Sequence, residues 1–238
     1  METFNGFPPR AMTFLRGLKK NNRKDWFDAH RDDYEDALRA PMRLLIEDVD
    51  VRLAAFIPEI VGSKKSMFRI HRDVRFSNDK SPYKTNVACW FPHRDSGGGV
   101  GGEAVHGGAG FYFHMEPGEL MCGGGIWMPP RPALNRIREV LADDYEGFAE
   151  IVTNRVFKRR FGALSGESML TRMPRGYEPD HPAGAWLRYQ SFTAGCALTL
   201  DDVQSPKLPD VLAKHYLAMT PFVRWLNTAL GLRPSSAR

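Results

Sequence analysis

Few cysteines, no long apolar run and no strong charge bias limit what this chain of 238 residues can be. Cys89, Cys122 and Cys196 are odd in number and far apart, which excludes a disulfide framework and fits reduced thiols in a cytoplasm. No apolar stretch approaches the ~20 residues that span a bilayer, so a soluble protein with no membrane partner is expected. The opening residues lack the charged-then-apolar pattern of a secretory signal. With 33 basic against 28 acidic residues, the net charge of +5 favours anionic partners but falls short of a dedicated nucleic-acid binder. Nothing in the middle resembles a linker, and 42% hydrophobic residues suffice for a full core, so residues 1–238 are expected to form one domain.

What is present is a series of periodic segments. Pro8 and Pro9 suit a helix start, and Met12, Leu15 and Leu18 recur at three-residue spacing as far as Asn21-Asn22. Asn22 caps a second predicted helix that reaches Leu38, with Trp26, Phe27, His30 and Tyr34 on one side. Pro41 opens a third, striped by Leu44, Leu45, Val49 and Leu53 and ended by Pro58. Strands are predicted at 87–91, 111–115, 120–128 and 191–200, the middle two joined as an antiparallel hairpin through Glu116-Pro117-Gly118-Glu119. Alternation sends Phe111, Phe113 and Met115 to one face and Tyr112, His114 and Glu116 to the other. Gly123, Gly124 and Gly125 in mid-strand call for a bulge or for close approach by a ligand or another backbone.

Helices are also predicted over 130–141, from a cap at Asp144 through to Lys158-Arg159-Arg160 and Phe161, and over 209–230, the last kinked or divided at Pro221. Glycines at 97–99, 101, 102 and 107 predict a mobile loop over about 95–109; the letters match G-x-G-x-x-G, but no helix follows to bind a dinucleotide. The whole is an α+β pattern: a largely antiparallel sheet flanked by helices, with an N-terminal three-helix segment and a long C-terminal helix.

The chain's most unusual stretch is 68–86, where Arg69, Arg72, Arg75, Lys80 and Lys84 stand among only two carboxylates, Asp73 and Asp79. Framed by Phe68, Ile70, Val74, Phe76 and Tyr83, it is too apolar for a solvated tail and too basic for an ordinary buried strand. An extended conformation over 68–76, favoured over a helix by the β-forming residues, leaves Arg72 on the apolar face. There it must be paired with a carboxylate or turned out by a bulge.

These residues resemble the DUF2461 family, bacterial proteins of about this length that share R-x-x-R-D-x-R-F followed by D-K-x-x-Y. The motif stands here as Arg69, Arg72, Asp73, Arg75, Phe76, Asp79, Lys80 and Tyr83. The likeness continues through Phe4-x-Gly6-Phe7, Asn21-Asn22 before Trp26-Phe27, Gly110-x-Tyr112 before Glu116-Pro117, Gly124-Gly125-x-Trp127, and Gly176-Tyr177 before His181-Pro182. A long glycine run at 97–102 and Gln190, where a lysine is expected, depart from it. The family is one of unknown function, so the resemblance implies positions and no reaction, substrate or cofactor.

From the residues themselves, the leading expectation is an anion site for a phosphate- or carboxylate-bearing small molecule. Its ligand-binding set is Arg69, Arg72, Arg75, Lys84, Tyr112 and His114, since guanidinium forks match such groups bidentately. A catalytic extension assigns Lys80 as base or nucleophile through a lowered pKa, with Asp73 and Tyr83 moving protons. Two alternatives stay open: a non-catalytic module binding nucleic acid or protein, with Tyr83 and Trp90 as exposed aromatics, or arginines that only brace the fold. Metal binding would rest on His114 and Glu116, which a strand places on one face, with His71, His106 or His181 as additions; two such ligands are common by chance, and no metal is assigned. No cofactor or oligomeric state is read from the sequence. Asp143-Asp144 and Asp201-Asp202 are expected as caps and turns.

Overall fold

The computed structural model describes residues 2–75, 78–97 and 107–235. In chain order it has helices α1 (Pro9–Lys20), α2 (Lys24–Ala29) and α3 (Arg31–Tyr34), a π-helical turn (Glu35–Arg39), and α4 (Ala40–Leu53). Strands β1 (Val87–Phe91), β2 (Gly110–Glu116) and β3 (Glu119–Ile126) follow, then α5 (Arg131–Asp143), α6 (Tyr145–Thr153), α7 (Arg155–Phe161) and α8 (Gly184–Leu187). Strand β4 (Phe192–Ala197), α9 (Leu200–Gln204) and α10 (Leu208–Ala229) complete the fold. The four strands lie side by side in sequence order, each neighbouring pair antiparallel. The α+β architecture, its antiparallel sheet, N-terminal helices and long closing helix are as the sequence predicts.

Strand alternation decides which face is core. Phe111, Phe113 and Met115 are fully buried, while Tyr112, His114 and Glu116 are only half-covered on the opposite face. α10 crosses the inner face, where Tyr216 stacks on Phe111 at 4.5 Å and its hydroxyl donates to the Tyr112 carbonyl at 3.0 Å. Each such ring contributes roughly 1.5–3 kcal/mol by leaving water. The glycines of β3 serve backbone approach: a Cβ on Gly124 would stand 2.8 Å from Met219 Sδ, and one on Gly125, at φ +122°, would collide with the Phe192 carbonyl of β4.

Several predicted boundaries move. The helix expected over 22–38 is two short helices and a π-helical turn that runs on into α4, with Pro41 in its first turn. Pro41 has no N–H to return to Ala37, and the widened turn ahead of it absorbs that loss. The helix expected from Asp144 to Phe161 is two, because Asn154 caps a new one: its side chain accepts from Phe157 N at 2.8 Å, as Asp144 accepts from Gly147 N at 3.2 Å. Thr199 and Asp202 form a capping box that ends the β4 region and starts α9. α10 is not divided at Pro221; the carbonyl left without its helical partner belongs to Leu217, on the exposed side.

The 68–76 stretch is neither a regular strand nor a helix among the described residues. Residues 66–68 pair along the outer edge of β1, through Trp90 N to Ser66 O at 2.9 Å and Phe68 N to Ala88 O at 3.1 Å. The chain then doubles back on itself: Arg72 N donates to Pro82 O at 2.9 Å and Lys84 N to Ile70 O at 2.8 Å. In place of the expected strand stands an isolated bridge between His71 and Tyr83, because the stretch pairs with its own continuation rather than along a ladder. Phe76, Ser77 and most of the expected glycine-rich loop, 98–106 with His106, lie outside the described residues. The far end of that loop is anchored where Asn227 closes on both backbone groups of Ala109, at 2.8 and 3.1 Å.

Candidate functional site

The basic hairpin of 68–86 is held at its base by residues far away in sequence. Asn22, expected as a helix cap, instead brackets the Tyr83 backbone: its amide donates to Tyr83 O at 2.9 Å, and its carbonyl accepts from Tyr83 N at 3.1 Å. α2 therefore starts without a side-chain cap. The Tyr83 ring is 3% exposed and stacks on Phe27 at 4.2 Å. Burial, then the Asp28 charge, raises its pKa, so this tyrosine is part of the core and not the exposed aromatic of the nucleic-acid alternative.

The hairpin's cations divide into two sets. Toward the tip, Arg75 forks onto Asp73 with bonds of 3.0 and 2.8 Å, and Lys80 donates to the Val74 carbonyl at 2.8 Å. The Arg75 side-chain bond holds Asp73 far below the usual carboxylate range. Toward the base, Arg69, Arg72 and Lys84 gather. Arg72 meets the requirement set by its position through Asp79, 3.1 Å away, the only ion pair that any of these three makes among the described residues. Its Nε is buried without a hydrogen-bond partner among the described residues. Lys84 is half-covered, with Nζ 5.1 Å above the Phe68 ring. Burial first, then the charges of Arg69 and Arg72, lower its pKa. Lys84 is thus a lysine whose surroundings favour the neutral amine.

Phe68 connects this set to the outer face of the sheet, meeting Tyr112 edge-on at 6.1 Å. The Tyr112 hydroxyl lies 3.0 Å from His114 Nδ1, and Asn86 Nδ2 lies 3.1 Å from the same nitrogen. With Asn86 donating, the imidazole carries its proton on Nε2, which is buried and unbonded, 4.0 Å from Glu116. Burial lowers the His114 pKa against the pull of Glu116 and Glu119, and raises Tyr112 to about 12.

Of the residues singled out in sequence, Arg69, Arg72, Lys84, Tyr112 and His114 thus share one side of the molecule, linked through Phe68. Arg75, Asp73 and Lys80 engage one another's neighbourhood at the tip. His71 rests beside Tyr83, 5.2 Å between rings, and His181 donates no ligand here but accepts from Ala183 N at 3.0 Å. Asn22, Phe68 and Asn86 carry no local signal for their roles; Asn22 resembles a cap until its partner 61 residues away is known.

Among the described residues, two groups bring metal-ligating atoms within 4.8 Å of one another: His114, Glu116 and Glu119; and Cys122, Cys196 and His215. The second was not anticipated, because its members come from three elements. Two surface grooves, of about 660 Å³ beside Cys196 and about 610 Å³ beside Arg43 and Gly62, lie away from the basic set. No helix is long and apolar enough to cross a membrane among the described residues.

A four-stranded antiparallel meander backed by one long helix, with a basic hairpin on its first edge, defines an α+β protein. The family model described as Conserved hypothetical protein (DUF2461) matches residues 10–225, and the chain belongs to that family. No curated protein and no solved structure matches it.

Proposed function

We propose that the protein binds an anionic small molecule, bearing a phosphate or carboxylate, at the base of the hairpin through Arg69, Arg72 and Lys84. The observation that carries this reading is the gathering of three cations, of which only Arg72 makes an ion pair among the described residues, beside a neutral imidazole and a phenol. Clustered cations in a half-covered place repel, and a negative guest relieves that repulsion while bonding to the guanidiniums. Arg72 Nε, buried and unbonded, supplies a donor for it. Tyr112 and His114 form the wall where the rest of the ligand lies. Arg75 is left out of the binding set, because Asp73 already occupies its fork.

Calorimetric titration with inorganic phosphate and with phosphorylated and carboxylated metabolites tests this. Arg69→Ala and Lys84→Met should each weaken the best ligand about tenfold or more, as loss of a charge-assisted bond does, while Arg75→Ala leaves it nearly unchanged. Equal affinity in parent and all variants removes the site from this hairpin. One observation favours a polyanion as the second reading: neither groove is lined by these residues, and Arg69 is exposed. Nucleic acid would then bind with an affinity that falls steeply with salt.

A further inference from the structure

On the inner side of the β3–β4 pair, remote from the hairpin, Cys122 and Cys196 face one another across the ladder register. Their sulfurs stand 3.6 Å apart, and Cys196 Sγ is 3.2 Å from His215 Nδ1, on α10. Cys122 is fully buried; Cys196 is partly open and lines the groove of about 660 Å³ with Met12, Leu198 and Leu200. We propose that Cys196 and Cys122 are a redox-active thiol pair that reacts with hydroperoxides from this groove and closes a reversible disulfide.

Geometry supplies each part. Directly opposed residues of an antiparallel pair have Cα atoms about 4.5–5.5 Å apart, inside the span that disulfides bridge. The sulfurs are in contact but unbonded, so a short side-chain movement joins them. Nucleophilic roles divide by surroundings: Cys196 has the imidazole beside it and the groove in front, whereas Cys122 is enclosed. The bond from Cys122 lowers the Cys196 pKa and burial opposes it; His215 and Arg160 add to the lowering. Asp202 faces the same cluster, acting on Cys122 and His215.

The chemistry balances without a cofactor. His215 takes the Cys196 proton, and the thiolate attacks one oxygen of the hydroperoxide. The O–O bond breaks, the alkoxide leaves and recovers the proton from His215 as an alcohol, and Cys196 becomes a sulfenic acid. The Cys122 thiol then attacks that sulfur, forming the disulfide and releasing water. Two thiols are oxidised by two electrons and one peroxide is reduced; a small-molecule thiol reverses the bond.

The test treats the reduced full-length protein with hydrogen peroxide and reads intact mass and peptide maps. The expected product has lost two hydrogens, contains a linked peptide pair holding Cys122 and Cys196, and is restored by dithiothreitol. In Cys122→Ser, dimedone should capture a sulfenic acid on Cys196, and His215→Ala should slow alkylation of Cys196 about tenfold at neutral pH. Recovery of unlinked Cys122 and Cys196 from the peroxide-treated parent would overturn the proposal, whatever the folding of the variants. Stoichiometric zinc on these thiols in protein purified without a metal-affinity tag would overturn it as well.

Discussion

Two guanidinium–carboxylate forks in this molecule use the same chemistry for opposite ends. Arg75 grips Asp73 two residues away, in solvent, with bonds of 2.8 and 3.0 Å. Arg224 on α10 grips Glu59, 165 residues away, with bonds of 2.7 and 3.3 Å, and adds the Phe56 carbonyl at 3.0 Å. Glu59 is 1% exposed, so its charge has nowhere else to go. The distant fork locks α10 to the turn after α4, whereas the local one only shapes an exposed tip. Charge pairing therefore says little until burial is known, and the Arg75 fork belongs to the exposed kind.

Breaking the buried fork should have the largest effect. Arg224→Met strands the Glu59 carboxylate and should cost about 2–4 kcal/mol in chemical denaturation, less than a fully enclosed pair because Arg224 is 36% exposed. A loss near zero would erase the contrast between the forks. Acid sharpens it further. Burial, the largest single influence, pushes the Glu59 pKa up, but the Arg224 bond and charge, together with the backbone donors of Glu59 and Ser235, outweigh it and the net direction is downward. A carboxylate whose folded pKa lies below its unfolded value stabilises fully above that unfolded value, near 4.3, and loses the contribution as pH falls through the folded pKa. The parent's stability should thus decline below about pH 4.3, and Arg224→Met should flatten that part of the profile.

Next in size is the hairpin's anchor. Asn22→Ala leaves both backbone groups of Tyr83 without their partner and should destabilise by about 1–3 kcal/mol, with hydrogen exchange rising first at Tyr83. Smallest is the exposed fork: Asp73→Asn should leave the thermal midpoint within error, while a large drop would place the hairpin tip among the structural pairs.

What could be seen in sequence follows the same division between local and distant partners. The sheet was legible because its alternation of Phe111, Phe113 and Met115 against Tyr112 and His114 is a local period that burial enforces. The basic stretch was legible because its residues are contiguous, and Arg72 could be assigned a carboxylate partner on charge alone. Asn22 misled because a cap and a backbone bracket use the same side chain, and only the partner tells them apart. Asn154 was passed over although it is itself a cap residue in mid-helix. The Cys122, Cys196 and His215 cluster had no spacing to find, since two strands and a helix bring it together.

The proposed anion site rests on the crowding of Arg69, Arg72 and Lys84. Its most direct measure is the titration of the Lys84 ammonium by NMR in the free protein, in Arg69→Ala, and with a saturating anionic ligand. The Lys84 pKa should lie below the ordinary lysine value in the free protein and rise both when Arg69 is removed and when the anion binds. An ordinary or elevated pKa that neither change moves would contradict it.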